Sequence, residues 1–213
     1  MNTTSENNEV DGRTRRARER RERRRAQLLK VASEVFGRRG YRSTSVNDVI
    51  EAAGVARGTF YQYFEGLDAV FHTLIDDFVA TLIAQVEPVN VEGPDPIGAM
   101  RENLTRVVRV LHAHPNEATL LFREAIGADD TVDARLAELD AFMHAMVVGA
   151  LTRGAAAGYV RDVARKDIVA SAIIGTLREV LFQAVVTKRL SVEDPDVMAQ
   201  AIFELGYRGL AVG

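Results

Sequence analysis

The sequence predicts an all-α chain of two domains, a small N-terminal three-helix domain followed by a larger helical one. Three observations carry this. Apolar residues recur at helical spacing from about Arg24 to Leu210, and no stretch shows strand alternation. Pro88, Pro94 and Pro96 break the pattern after a fourth helix. Charge divides along the chain: residues 1–66 hold 14 Lys/Arg against 9 Asp/Glu, net +5, and residues 67–213 hold 13 against 21, net −8. A basic front on an acidic remainder fits a chain that meets a polyanion at one end only.

The 213 residues suffice for one small and one larger domain, and 47% hydrophobic with 27% charged residues is ordinary for a soluble protein. Without cysteine there is no disulfide framework, no thiolate metal site and no Cys nucleophile. The N-terminus is polar and then Arg-rich, with no apolar signal region, so a cytoplasmic protein is expected.

The division expected is a disordered Arg-rich arm over residues 1–23, a helix-turn-helix domain over 24–70, and a helical domain over 71–213. Arg13 to Arg25 contains nine Arg and two Glu, a composition that suits phosphates or a minor groove as well as a solvated tail. Helix one runs from about Arg24 to Gly40, with Leu28, Leu29, Ala32, Val35 and Phe36 on its apolar face. Two short helices follow across Ser45 to Phe64, SVNDVIEAAGVARGTFYQYF. Ser45 with Asp48 three places on forms a capping box with Asp in place of Glu or Gln. Val46, Val49, Ile50 and Ala53 give one apolar face, and Gly54 supplies the left-handed residue that ends the helix. The second helix, about Arg57 to Phe64, carries Arg57, Gly58, Thr59, Tyr61, Gln62 and Tyr63. These small, hydroxyl and amide side chains at a helix start suit phosphate oxygens and base edges. Two helices joined by a tight turn in this way form the shape that enters a major groove.

The run FGRRGYRSTSVNDVIEAAGVARGTFYQYFEGLDAVF resembles the N-terminal domain of the tetracycline-repressor (TetR) family over about residues 25–71. The matching elements are Phe36, Gly40 and Tyr41, the T-S-V opening of the second helix, A-A-G-V at the turn, and G-T-F-Y-x-Y-F in the recognition helix. Two positions depart from the family pattern. Ala56 stands where Ser or Thr usually caps the recognition helix, and Leu67 stands where Lys usually opens helix four. The resemblance implies a homodimeric, ligand-responsive repressor on a near-palindromic DNA operator. Thr59, Tyr61, Gln62 and Tyr63 would lie near bases and phosphates. Thr44, Ser45 and Arg57 would hold the backbone, with Gly58, Arg24 and Arg25 beside them. Val55, Phe60 and Phe64 would pack the domain.

Helix four spans about Leu67 to Val86, with Val70, Phe71, Leu74, Ile75, Phe78 and Leu82 inward. Further helices are expected at Ile97–Ala113, Asn116–Gly127, Asp133–Gly158, Asp167–Lys188 and Asp194–Leu210. Ile168 to Val186 is long enough for a membrane span, but Arg178 and Glu179 lie at its centre. A helix apolar on nearly all sides needs cover on all sides, and a second copy of the chain is the simplest partner. Ala170, Gly175 and Ala184 would permit close approach. The resemblance agrees, since the last two long helices of the family form a four-helix dimer interface.

No GxSxG, P-loop or GxGxxG is present, so no enzyme is expected, nor any cofactor. His112 and His114 fall on different helix faces, and Asp140 with His144 reads as an intrahelical pair rather than a metal site. Polar groups set among Met and aromatic residues outline a pocket for a small apolar or amphipathic effector: Phe122, Arg123, Phe142, Met143, His144, Met146, Arg178, Phe182 and Gln183. The existence of a pocket rests mainly on the family resemblance. Two alternatives stay open, a non-specific DNA binder and a helical small-molecule-binding protein or enzyme using the C-terminal cavity.

Overall fold

The computed structural model of the chain describes residues 3–191 and 194–210, with side chains described from residue 14. The first two residues of the expected arm and the last three of the expected C-terminal domain lie outside the described residues. The described residues form helices without a β-strand: α1 Thr3–Arg39, α2 Val46–Ala53, α3 Arg57–Tyr61, α4 Leu67–Ile83, α5 Pro96–Ala113, α6 Pro115–Thr119, α7 Asp130–Ala156, α8 Lys166–Leu181 and α9 Pro195–Leu210. The chain divides into two compact units, Met1–Leu74 and Ile75–Gly213, so the division lies four residues beyond the expected one.

α1 covers residues for which the sequence leads to a disordered arm. The helix begins at Thr3 and runs 37 residues. The physical reason lies in the spacing of the charges. Glu19 pairs with Arg15 (3.8 Å) and Arg23 (3.4 Å), and Glu22 pairs with Arg18 (2.9 Å), all four residues apart on one turn-to-turn stripe. Each exposed pair supports a helix by about 0.3–0.5 kcal/mol, and Arg is itself a good helix former. The two glutamates within the arginine run are what disorder-minded reading undervalues.

Within the N-terminal unit, α1, α2 and α3 close on Leu28, Ala32, Val35, Phe36, Val49, Phe60 and Phe64, all buried, together with Val70 and Phe71. Burying a side chain of this kind is worth about 1.5–3 kcal/mol each. Tyr41, in the 3₁₀ turn Tyr41–Ser43, stacks on Phe71 (centroids 4.1 Å apart), meets Phe36 edge-on and donates its hydroxyl to Asp68.

In the C-terminal unit α5 packs on α9 and α7 on α8. Val108, Leu111, Leu120, Leu121, Val132, Leu151, Leu181, Val185 and Met198 are buried there. Asp95 caps α5 by accepting from the Gly98 N–H at 2.8 Å. Asn103 bonds both the N–H and the carbonyl of Glu87 at 2.9 Å and so fixes the Pro-rich connection to α5. Arg109 makes a fork to Asp196 (2.7 and 2.6 Å), fastening α5 to α9. Gly154 is buried and a Cβ there would lie 3.2 Å from Val160, so close packing explains this glycine.

α6 and α8 both end in a π turn, Leu120–Glu124 and Phe182–Val186. The Ala125 N–H bonds the Leu120 carbonyl and the Thr187 N–H bonds the Phe182 carbonyl, five residues back in each case. The two wide turns pack on one another. Sequence periodicity extended both helices through these turns without detecting them.

Candidate nucleic-acid interface

The surface that the sequence singles out is built by the ends of α1, α2 and α3. At the start of α2 the capping box forms as expected. The Asp48 N–H donates to Ser45 Oγ at 3.3 Å, and the Ser45 N–H donates to Asp48 Oδ2 at 2.8 Å. The Ser45 hydroxyl also donates to Asp48 Oδ2 at 2.6 Å, and Arg39 from α1 pairs with the same carboxylate. The Ser45 hydroxyl first, then its N–H and the charge of Arg39, hold the Asp48 carboxyl below the usual carboxylate range. Asp48 is therefore a junction between α1 and α2, a role that local spacing could not reveal because Arg39 lies nine residues away. Thr44 is half-buried and donates to the Gly40 carbonyl at 2.8 Å.

Gly54 ends α2 with φ 62°, ψ 37°, the left-handed conformation that a Cβ disfavours. Its N–H and that of Val55 return to the α2 carbonyls of Glu51 and Ile50. α3 then starts after Ala56, which is extended and makes no side-chain cap. The helix is five residues long and ends at Tyr61, three residues short of the expected Phe64. The chain turns at Gln62–Tyr63 instead of continuing the helix.

α3 is amphipathic in the simplest way. Phe60 is fully buried, while Arg57, Gly58, Tyr61 and Gln62 are exposed and Thr59 and Tyr63 are half-buried. Arg57 donates to Asn47 Oδ1 at 3.1 Å and to the Tyr61 hydroxyl at 3.4 Å, and its guanidinium lies 5.6 Å from the Tyr61 ring. The two side chains are thus paired on the surface, with α2 fixing the arginine. Asn47 is a residue that sequence reasoning missed, since its partner is ten positions away. A Cβ on Gly58 would meet no atom within 4 Å, so nothing in the domain itself requires glycine there. Arg24 is exposed and bonds Gln27 at 2.9 Å. Arg25 is exposed; its guanidinium lies 5.2 Å from the Phe64 ring and donates to Thr73 at 3.4 Å.

The residues expected to form an effector pocket differ in exposure. Phe142, Arg123 and Arg178 are exposed, and Phe122, Met143, His144, Met146, Phe182 and Gln183 are half-buried. Arg123 pairs with Glu124 at 3.2 Å, and Gln183 donates to Glu179 at 2.7 Å. His144 does not pair with Asp140. Its Nε2 meets the Asp167 carbonyl (3.1 Å) and the Ser171 hydroxyl (3.3 Å), because α8 packs across α7 at that turn. Among the described residues no group of three or more Asp, Glu or His is assembled for a metal ion.

The two short helices, their left-handed glycine turn and the exposed polar face of α3 define a helix-turn-helix domain. Residues 28–74 match the sequence profile of the bacterial regulatory proteins of the tetR family. The match covers the helix-turn-helix residues of the N-terminal unit. Among curated relatives, the transcriptional repressor KstR2 of Rhodococcus jostii is 24% identical over 103 residues, covering 48% of this chain and 50% of that protein. The transcriptional regulator TtgR of Pseudomonas putida is 33% identical over 98 residues, 46% of this chain and 47% of that one. The chain thus spans about half the length of these relatives. Among solved structures, the ketosteroid transcriptional regulator KstR2 of Mycobacterium tuberculosis aligns with a TM-score of 0.75 at 20% identity, over 89% of this chain and 96% of that one. The fatty acid degradation regulator FadR of Bacillus halodurans aligns with a TM-score of 0.68 at 22% identity, over 87% and 95%. The fold is shared with these structures over both units.

Proposed function

We propose that the protein is a ligand-responsive transcriptional repressor that binds a near-palindromic DNA operator as a homodimer in the cytoplasm. The observation that carries this reading is the exposed face of α3, where Arg57 and Tyr61 pair over an open Gly58 while Phe60 anchors the helix beneath. A short helix offered in this way is suited to a major groove, with Thr59, Tyr61, Gln62 and Tyr63 near base edges and phosphates. Thr44, Ser45 and Arg57 would hold the DNA backbone and Arg24 would add a phosphate contact.

The C-terminal unit supports two-fold symmetry. Lys166–Val186 is 21 residues long and apolar enough to cross a membrane by length and composition, yet only 17% of its most apolar window is buried. Ile168, Val197 and Leu205 are 55%, 63% and 67% exposed on α8 and α9. A second copy covers such faces most simply, and a two-fold dimer reads an inverted repeat. Gly175, with open space above it, and Ala184 remain for that contact. Ala170 does not, being fully buried inside its own unit. The effector would be small and apolar or amphipathic, as the relatives named for ketosteroid and fatty-acid regulation make reasonable. It would act by binding more tightly to one of two dimer states.

Selection of random duplex DNA by the purified protein at about 0.15 M salt, followed by sequencing, tests this reading. An enriched inverted repeat is the expected result. Retention of DNA without enrichment would replace it with a non-specific binder, and no retention would shift the primary function to the C-terminal unit.

A further inference from the structure

The exposed start of α3 carries a side chain that is held from outside its own helix. Arg57 Nη1 donates to Asn47 Oδ1 of α2 at 3.1 Å, and its Nη2 donates to the Tyr61 hydroxyl at 3.4 Å. The guanidinium lies 5.6 Å from the Tyr61 ring centroid. Both anchors are fixed in turn. Asn47 stands in the first turn of α2, where the capping box of Ser45 and Asp48 and the contact of Arg39 with Asp48 lock the chain. The Tyr61 ring meets buried Phe60 edge-on, with centroids 5.5 Å apart. The two partners of Arg57 are neutral, so its charge is held in place without being cancelled.

Holding a long exposed arginine in one place costs side-chain entropy. A contact with the DNA backbone, as in the function proposed above, needs only the charge and tolerates a moving side chain. Reading a base edge is different, because the fork must stay within about 0.5 Å of one position. Asn47 and Tyr61 take one N–H each, and the other N–H groups of the guanidinium remain for a two-pronged contact. Beside them Gly58 has no Cβ and open space above it, so a base edge meets no side chain there. We infer that Asn47 is a positioning residue, which holds the Arg57 guanidinium where it takes the N7 and O6 acceptors of a guanine in the major groove. Guanine is the base that offers a donor-only fork two adjacent acceptors. The inference rests on the sequence-specific DNA-binding reading above, and adds to it one base and the residue that fixes its reader.

The test uses the full chain. Random duplex DNA is selected first, and the enriched duplex is then measured with each base pair replaced in turn. With the wild-type protein, replacing one G·C pair in each half-site should weaken binding about tenfold. N47A should reduce that preference to less than about threefold, and R57A should remove it. N47A/R57A should lose no more than R57A alone, because the two residues act as a unit. R57K keeps the charge without the fork and should also lose the preference. N47D keeps an acceptor for Arg57 and should retain the preference, with weaker binding to every duplex from its added negative charge. Circular dichroism checks that the variants keep their helix content. If N47A lowers thermal stability but leaves the base preference intact, Asn47 merely joins α2 to α3 and the positioning role is overturned. Equal weakening of all duplexes by R57A would put Arg57 on phosphate and overturn the guanine contact. Wild-type binding without any enriched sequence would instead remove the sequence-specific reading, and this inference with it.

Discussion

The N-terminal and C-terminal units are held together in contrasting ways. In the first, polar bonds at helix ends do the positioning: Ser45 and Asp48 at the start of α2, Arg39 reaching them from α1, and Asn47 fixing Arg57 of α3. Its apolar residues are mostly inside, with Tyr61 the one large exposed apolar side chain among its described residues. In the second, long helices lie face to face, and Ile126, Phe142, Ile168, Leu190, Val197 and Leu205 remain exposed. The lesson is one of self-sufficiency. A unit whose groups satisfy one another locally needs no cover, whereas uncovered apolar helices are suited to meeting another surface.

The largest test of this contrast lies within one turn of α3. Phe60→Ala removes a fully buried ring and should cost about 3–5 kcal/mol, abolishing the cooperative melting of the N-terminal unit. Tyr61→Ala, one residue on, should cost at most about 1.5 kcal/mol through its edge contact with Phe60. Its operator affinity should nonetheless fall at least about tenfold, roughly 1.4 kcal/mol. An unchanged affinity in the folded variant would remove Tyr61 from the interface. In the C-terminal unit, Leu205→Glu should leave helix content intact and weaken dimerisation by at least about tenfold in sedimentation measurements. A dimer indifferent to that charge would place the interface elsewhere.

Smaller effects sharpen the same comparison. Ala56→Ser supplies the missing cap of α3 and should raise stability by about 1 kcal/mol, read as a higher melting temperature. An unaltered melting point would mean that the turn already satisfies those N–H groups. The smallest expected effect is on acidification. The folded-state carboxyls of Asp48 and Asp167 are held low, the latter to about 2 by Arg165. A depressed carboxyl stabilises the fold above its ordinary value, and that contribution fades as pH falls towards the folded value. Stability should therefore decline from about pH 4 towards pH 2, and Asp48→Asn should remove the N-terminal part of the decline.

This difference between the units also decided what could be read from the sequence. The capping box, the left-handed Gly54, the uncapped Ala56, the buried faces of α1 and α4 and buried Val49 of α2 all depend on neighbours within a few positions, and each appears where spacing put it. The Arg39–Asp48 and Asn47–Arg57 contacts join separate helices, so no local pattern announces them. Composition alone does not locate the start of α1, because Glu19 and Glu22 act through their spacing from Arg15, Arg18 and Arg23. In the C-terminal unit the helices were legible but their lateral arrangement was not. Phe142 is exposed and Phe182 half-buried, which side-chain type alone does not tell, and Ala170 is enclosed by its own unit.

The paired π turns at the ends of α6 and α8 have one more consequence. A turn closed five residues back contains a spare link compared with its α neighbour. If either turn tightened to the α pattern, that link would pass into the connection that follows, Ile126–Asp129 or Thr187–Asp194, and lengthen it by about 3.5 Å of extended chain. Because Leu120–Glu124 and Phe182–Val186 rest on each other, slack taken up by one is felt by the other. A change of pattern in one turn would therefore fall on the face that packs the other.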